Sequence, residues 1–133
     1  MTVEEMLALY NGALAAFEAG DYDGFVDTVD PRLVFITVPE WPDGGTFEGP
    51  EATWRFLEDF KAVFAAGAFE IIEPVAVTDS ILVHDMRRLT SGGQSGAAVE
   101  WHYTVVTTFR SGRMIRTEYF DTRQEALAAA RGG

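Results

Sequence analysis

The sequence predicts an α+β fold in which a curved, cone-shaped sheet of antiparallel or mixed strands wraps around N-terminal helices. Apolar residues recur at every third or fourth position over residues 3–17 and 56–64, as on the buried face of amphipathic helices. From residue 69 to residue 120, four strand-like runs are separated by short turns. Helices that precede a group of strands are typical of the α+β class. The chain has 133 residues and no linker or internal repeat, which predicts one domain over residues 1–133.

The first two helices are predicted from their ends and from one apolar stripe. Thr2 and Glu5 have the spacing of a capping box, in which each side chain bonds the backbone N–H of the other residue. Gly20 is expected to end this helix. A short second helix is predicted over Asp21–Val29, and the Asp-Pro pair at 30–31 ends it because proline lacks the N–H that a helix needs. The stripe of the first helix comprises Val3, Met6, Leu7, Tyr10, Leu14 and Phe17.

A strand, a tryptophan-containing loop and a third helix follow. The run Leu33–Val38 is rich in β-branched residues and predicts a strand. The stretch PEWPDGGTFEG (39–49) is expected to be a loop, because Pro42 restricts Trp41 to extended geometry and two glycines follow. We expect this loop to pass over the mouth of the cone, with Trp41 as its lid or wall. Pro50 suits the first turn of the third helix, which we expect to end at Gly67.

The remainder is predicted to form an antiparallel meander and a final helix. Short turns between successive strands bring antiparallel neighbours together. Pro74 cannot donate to a strand ladder and places the first of these strands at an edge or a bulge. Thr122 and Glu125 repeat the capping-box spacing ahead of the final helix. The predicted strands are Phe69–Thr78, Ile81–Thr90, Val99–Arg110 and Met114–Phe120.

The composition argues against several functional classes. The formal net charge is −11, and residues 1–60 hold 13 acidic residues but only two arginines, so we expect no nucleic-acid partner. No apolar run is long enough to cross a membrane, and the first 20 residues lack the basic segment of a signal peptide. With no cysteine and two histidines, we expect no disulfide, no metal site and a cytoplasmic location.

Several motifs resemble the nuclear transport factor 2-like superfamily and, within it, the SnoaL-like domains common in bacteria. They are FEAGDYDGF (17–25) with the Asp-Pro pair, WPDGGTFEGPEA (41–52), the serine-glycine hairpin near 95–96, and SGRMIRTEYFDTRQEALAAA (111–130). The resemblance spans nearly the whole chain and implies a cystatin-like fold, a homodimer, and an apolar pocket that contains one to three ionisable groups. This superfamily includes isomerases, epoxide hydrolases, polyketide cyclases, dehydratases and members without catalysis, so the fold alone implies no single activity.

The resemblance also implies candidate catalytic residues. The chain is similar to limonene-1,2-epoxide hydrolases, and the match to EYFD (118–121) places Glu118 in the pocket, with Asp85 as the second acid. Similarity to ketosteroid isomerases places Glu40, nine residues before Gly49, at the position of their base. Burial raises the pKa of a carboxyl group toward neutrality, which suits proton transfer. Asp85 or Glu40 would be the base and Glu118 the acid. Arg116 or Arg87 would hold a carboxylate in its charged state or bind a substrate oxygen.

Strand alternation predicts which side chains face the pocket, since successive residues point to opposite faces. In the third strand of the meander, Trp101 and Tyr103 lie on the apolar face and His102 on the other. In the second strand we expect Asp85 to face inward, but the reverse register would place His84 in the pocket and Asp85 at the surface. The predicted lining is Tyr10, Trp41, Trp54, Phe60, Arg87, Trp101 and Tyr103.

These observations together predict that an aromatic-lined pocket binds a small apolar or oxygenated organic molecule without a cofactor. The expected chemistry, for an enzyme, is acid–base catalysis of the isomerase, epoxide hydrolase or polyketide cyclase type. The alternative is a non-catalytic ligand-binding or dimeric association module, in which Asp85, Arg87, Arg116 and Glu118 form ion pairs on a solvated face.

Overall fold

Four helices and six strands make up the described part of the chain. The computed structural model describes residues 1–41, 44–59, 70–92 and 97–132, and for residues 88–92 and 97–101 it describes the backbone but not the side chains. The elements are α1 (Val3–Glu18), α2 (Tyr22–Thr28), β1 (Val29–Ile36), β2 (Thr46–Glu48), α3 (Pro50–Asp59), β3 (Glu70–Thr78), β4 (Ile81–Gly92), β5 (Ala97–Arg110), β6 (Arg113–Phe120) and α4 (Arg123–Gly132).

The six strands form one mixed sheet in the order β2-β1-β6-β5-β4-β3. Strands β3 to β6 are an antiparallel meander, as predicted, and β1 joins it by pairing parallel to β6. Strand β3 lies at the edge of the sheet, and its register shifts between Ile72 and Val75, where Pro74 interrupts the ladder. The predicted α+β class, with helices first and a mixed sheet after them, is confirmed.

The main core lies between the N-terminal helices and one face of the sheet, here called the inner face. Thr2 and Glu5 form the predicted capping box, in which Thr2 Oγ1 accepts from Glu5 N at 3.1 Å and Thr2 N donates to Glu5 Oε1 at 2.9 Å. The helix that starts there buries Ala13 and three residues of its apolar stripe, which are Met6, Tyr10 and Phe17. These pack against strand residues of the inner face, which include Phe35, Leu82, Met86, Val105, Phe109 and Tyr119.

The opposite face of the sheet, here called the outer face, is partly covered by α4. Val83 of β4 and Val106 of β5 alternate with the inner-face residues and form a second buried cluster with Ala126 and Ala130 of α4. Helices therefore cover both faces, whereas the sequence predicted that they cover one. Two apolar strand positions on the outer face require cover, and the alanines allow α4 to approach the strands closely.

The structure differs from the prediction at β1 and β2. Strand β1 begins at Val29, because Val29 already pairs with Met114, and a bulge separates this pair from the pairing that resumes at Val34. Strand β2 was not predicted, since three residues within a glycine-rich loop are too few to show alternation. The predicted helix end at Gly67 and the hairpin at 95–96 lie outside the described residues.

Candidate functional site

Two buried tyrosines, Tyr10 of α1 and Tyr119 of β6, meet on the inner face. The Tyr10 hydroxyl donates a hydrogen bond to Met86 Sδ at 3.0 Å. Burial raises the pKa of Tyr119 to about 12, and the neighbouring Tyr10 hydroxyl offsets part of that rise. Burial also raises the pKa of Tyr10 well above its usual range. Both hydroxyls therefore stay protonated at neutral pH and can donate hydrogen bonds.

An apolar cavity lies beside these two tyrosines, between the helices and the sheet. Its volume is about 40 Å³. Apart from Tyr10 and Tyr119, its polar lining consists of the threonines Thr53 and Thr117, and the Thr53 hydroxyl already donates to the Gly49 carbonyl oxygen at 2.9 Å. The remaining lining residues are Ala13, Leu14, Phe17, Phe25, Val29, Leu33, Phe35, Leu57 and Met114. No charged side chain lines the cavity among the described residues.

Trp41 packs against the aromatic residues next to this cavity. Its ring lies 4.9 Å from the Tyr119 ring and 5.2 Å from the Tyr103 ring, centroid to centroid. Thr37 anchors the loop that carries Trp41, because Thr37 N donates to the Gly45 carbonyl oxygen at 3.0 Å and Gly45 N donates to Thr37 Oγ1 at 2.7 Å. The expected lid or wall residue therefore does pack against the inner-face aromatics from a loop.

His84 of β4 is fully buried on the inner face. Its ring lies 4.5 Å from the Tyr10 ring, centroid to centroid, in an edge-to-face arrangement. Neither Nδ1 nor Nε2 makes a hydrogen bond of acceptable geometry to any described residue. Burial lowers the pKa of His84 from 6.5 to about 4, a shift that the adjacent Asp85 opposes and Arg123 reinforces. The imidazole is therefore neutral at pH 7.

The register of β4 is the reverse of the one we expected for Asp85. Leu82, His84 and Met86 are each 0 % exposed and face the helices. Since alternate residues point to opposite faces, Asp85 lies on the outer face, and its expected place in the pocket is wrong. The alternative register that the sequence left open, with His84 inside, is the one that forms.

Asp85 instead belongs to a polar cluster that joins the sheet to α4. Its Oδ1 accepts hydrogen bonds from Thr104 Oγ1 at 2.9 Å and Arg123 Nη1 at 3.1 Å, and its Oδ2 lies 3.3 Å from His102 Nε2. Burial alone would raise the pKa of Asp85, but Thr104, His102 and Arg123 together lower it below its usual range. A pKa lowered in this way is the opposite of what the predicted proton-transfer role requires.

Glu118 and Arg116 also lie on the outer face, which corrects their expected place in the pocket. The register between β5 and β6 shifts by one residue, and Ile115 is left as an extra residue. Met114 and Thr117 consequently both line the cavity, while Glu118 falls on the side of Val106. Arg116 Nη2 lies 3.0 Å from Glu118 Oε1, so the two form an ion pair, as in the alternative interpretation.

The other predicted site residues are dispersed. Glu40 is exposed in a turn. Arg87 Nη2 lies 2.6 Å from Glu70 Oε2 on the outer face, so Arg87 does not line the pocket as expected. Trp54 packs against the Phe17 ring at 5.2 Å, behind the cavity, and does not itself line it. The predicted lining residues Phe60 and Trp101 lie outside the described side chains.

Sequence analysis did not assign Tyr119 to the site and left His84 as an alternative. A usable pattern was present in β6, where the charged residues Arg116 and Glu118 alternate with Thr117 and Tyr119. Charged residues usually face solvent, so this pattern favours an inward Tyr119. In β4 the ambiguity was real, because a histidine and an aspartate are neighbours and either one can be buried.

The described residues offer hydrogen-bonding groups rather than a metal site. No group of three His, Asp or Glu side chains in the described ranges has a geometry that could hold a metal ion. Within the same ranges, no helix is long and apolar enough to cross a membrane. What the inner face provides is two hydroxyl donors and one neutral imidazole in apolar surroundings, an arrangement that can bind an oxygen atom of a small organic molecule.

Known proteins resemble this chain in fold. A nuclear transport factor 2-like protein from Burkholderia xenovorans LB400 has a TM-score of 0.71 at 20 % identity, over 98 % of this chain and 97 % of that one. TerC, co-crystallised with polyporic acid, has a TM-score of 0.67 at 18 % identity, over 97 % and 99 %. A Mycobacterium tuberculosis protein in complex with estradiol-17beta-hemisuccinate has a TM-score of 0.65 at 14 % identity, over 90 % and 95 %.

The sequence comparison identifies the family. No curated protein matches the chain. The sequence profile of the SnoaL-like domain, however, matches residues 10–117, which is most of the chain and includes both Tyr10 and His84. The similar structures share its fold over at least 90 % of the chain. This chain therefore belongs to the SnoaL-like domain family, and its fold is that of nuclear transport factor 2-like proteins.

Proposed function

We propose that this protein binds a small, largely apolar organic molecule between α1 and the inner face of the sheet. The observation that carries the proposal is a cavity that is lined by the two tyrosines Tyr10 and Tyr119 and otherwise by apolar and threonine side chains. A mostly apolar pocket with a few convergent polar groups is typical of small-molecule sites. The relatives co-crystallised with polyporic acid and with estradiol-17beta-hemisuccinate support this class of ligand.

The size of the cavity means that a ligand must displace side chains on entry. A volume of about 40 Å³ has room for two or three water molecules, whereas a cavity of about 150 Å³ is known to bind benzene. We propose that Trp41 moves, because it contacts Tyr119 and is held by a loop, while the residues that line the cavity are mostly on helices and strands. Loops change conformation at lower cost than packed elements.

Catalysis by carboxylates is not part of this proposal. Asp85 and Glu118 lie on the outer face, and no Asp or Glu lines the cavity among the described residues. Isomerase-, hydrolase- or cyclase-type chemistry at this site would have to use the neutral hydroxyl and imidazole groups. At pH 7 the raised pKa of Tyr119 keeps its hydroxyl protonated, and the lowered pKa of His84 keeps its imidazole neutral.

One observation favours a second candidate, a non-catalytic association module in the cytoplasm. The small cavity volume is also what a domain filled by its own side chains would have. The resemblance to the nuclear transport factor 2-like superfamily implies a homodimer, and we propose one in either case. A sedimentation mass near 14.6 kDa would contradict the dimer.

A thermal-shift screen with small terpenoid, steroid and polyketide-like compounds tests the binding function. A ligand at 100 times its dissociation constant stabilises the folded state by about 2.7 kcal/mol. For any compound found, Tyr119→Phe should weaken binding about tenfold, the value of one hydrogen bond. Tyr22→Phe is the matched control, because Tyr22 contacts Trp54 and does not line the cavity. A screen in which no compound raises the melting temperature favours the association module.

A further inference from the structure

His84 supplies a third polar group next to the two tyrosines. It does not line the cavity, but its ring contacts that of Tyr10, which does. Met86, two residues further along the same face of β4, accepts the hydrogen bond from the Tyr10 hydroxyl at 3.0 Å. The imidazole and this hydroxyl therefore share one part of the inner face, and a thioether sulfur is a weak acceptor that a ligand oxygen can replace.

The imidazole has unused capacity to bind a polar ligand group. A neutral imidazole has one N–H donor and one acceptor nitrogen, and neither nitrogen of His84 is bonded to a described residue. Buried polar groups in native proteins nearly always have partners, so an unpartnered one at 0 % exposure requires a specific reason. A hydroxyl or carbonyl oxygen on a ligand matches both the imidazole and the Tyr10 hydroxyl.

The charged residues nearby would not compensate a charged ligand. Arg87 bonds Glu70 at 2.6 Å, Arg116 bonds Glu118 at 3.0 Å, and Arg123 bonds Asp85 at 3.1 Å. All three arginines lie on the outer face or at α4. A carboxylate bound at the inner face would thus be buried without a cation among the described residues, which is strongly unfavourable.

We propose that His84 is the specificity-determining residue of the site, and that the site accepts uncharged ligands with a hydroxyl or carbonyl oxygen and rejects the corresponding carboxylates. This inference rests on the proposed binding function and narrows its ligand class. It makes His84 a ligand-binding group instead of a packing residue. An aliphatic side chain of similar size would fill the same space between Leu82 and Met86 without an unpartnered polar atom.

Three probe molecules of one shape distinguish these roles. Toluene, p-cresol and p-toluate differ only at the ring position para to the methyl group. That position carries a hydrogen atom in toluene, a hydroxyl in p-cresol and a carboxylate in p-toluate. We would measure their dissociation constants at pH 7 by calorimetry for the wild type, His84→Leu and His84→Gln, with His102→Leu as the control on the outer face. We expect p-cresol to bind at least about tenfold tighter than p-toluate, because the carboxylate would be buried without a cation and the uncharged hydroxyl would not.

The variants should separate the hydroxyl contact from apolar binding. In His84→Leu, p-cresol affinity should fall about tenfold while toluene affinity changes less than about twofold. His84→Gln restores a donor and an acceptor and should recover part of the p-cresol affinity, and His102→Leu should change nothing. Two results would overturn the role of His84 but not the binding function, provided that toluene binds. One is equal affinity for p-toluate and p-cresol, and the other is an affinity for p-cresol that His84→Leu leaves unchanged. Failure of all three probes to bind the wild type overturns this inference and counts against the binding function as well.

Discussion

Acidification should destabilise this protein through His84. In the folded state burial lowers the pKa of His84 from 6.5 to about 4, so the unfolded chain takes up a proton at a higher pH than the folded chain does. Stability that is present above pH 6.5 is therefore lost as the pH falls toward 4. Since one pKa unit corresponds to about 1.36 kcal/mol, the loss between pH 7 and pH 4 is about 3 kcal/mol, and about 2 kcal/mol of it occurs by pH 5.

Urea unfolding of the wild type and of His84→Leu at pH 7, 6, 5 and 4 isolates this effect. Both proteins contain the same carboxyl groups, so the difference between their free energies of unfolding removes the titration of Asp85 and the other acids. At pH 7 the leucine variant should be at least as stable as the wild type, because it removes an unpartnered buried polar group. Below pH 6.5 its relative stability should rise by about 3 kcal/mol.

The control is His102→Leu, which removes the other histidine. His102 is 47 % exposed in its side chain and lies on the outer face, so this variant shows whether a change follows from the loss of any histidine or from the loss of the buried one. Parallel pH curves for the wild type and His84→Leu would mean that the buried imidazole is hydrated or partnered in solution. That result would refute both its neutral state and the cause that we assign to it.

Two further predictions concern the outer face and the tryptophan loop. Asp85→Ala removes the acceptor of three side chains and should cost about 2 kcal/mol in urea unfolding, whereas Glu70→Ala, which breaks an exposed ion pair, should cost less than about 0.5 kcal/mol. Gly44→Ala should destabilise by about 1–3 kcal/mol, because its Cβ would lie 2.5 Å from Thr37 Oγ1. Gly12→Ala in α1, where the nearest atom is 3.9 Å away, should instead stabilise by about 0.5–1 kcal/mol. Equal effects within either pair would contradict the contacts described.

The fold was predictable because its elements are specified locally. The capping box at Thr2 and Glu5 forms as the spacing predicts, and Pro74 interrupts the ladder of an edge strand. The place of α4 was harder to predict, because it depends on contacts between residues far apart in the sequence. Nothing local to Ala126 and Ala130 indicates that they cover Val83 and Val106.

The site was less predictable, because it depends on the phase of each strand. A shift of one residue moves every side chain to the other face, so one bulge at Ile115 is enough to turn Glu118 away from the helices. Periodicity does not reveal a bulge in advance. In β4 one phase buries His84 and the other buries Asp85, so the pattern does not favour either. The aromatic positions were more robust, and Tyr10 and Tyr103 lie on the inner side as expected, since large apolar side chains determine which face is buried.

Adjacent residues of β4 thereby give the two faces of the sheet different electrostatics. Asp85 on the outer face is held charged by Thr104, His102 and Arg123, while His84 on the inner face is held neutral by burial. The charges of Asp85 and Arg123 act on the pKa of His84 in opposite directions, and burial is the largest cause of its lowering. Removing Asp85 alone would leave Arg123 uncompensated and lower the pKa of His84 further. Burial, and not the ion pair on the outer face, thus keeps the inner face uncharged at neutral pH, which is the condition for binding an uncharged ligand there.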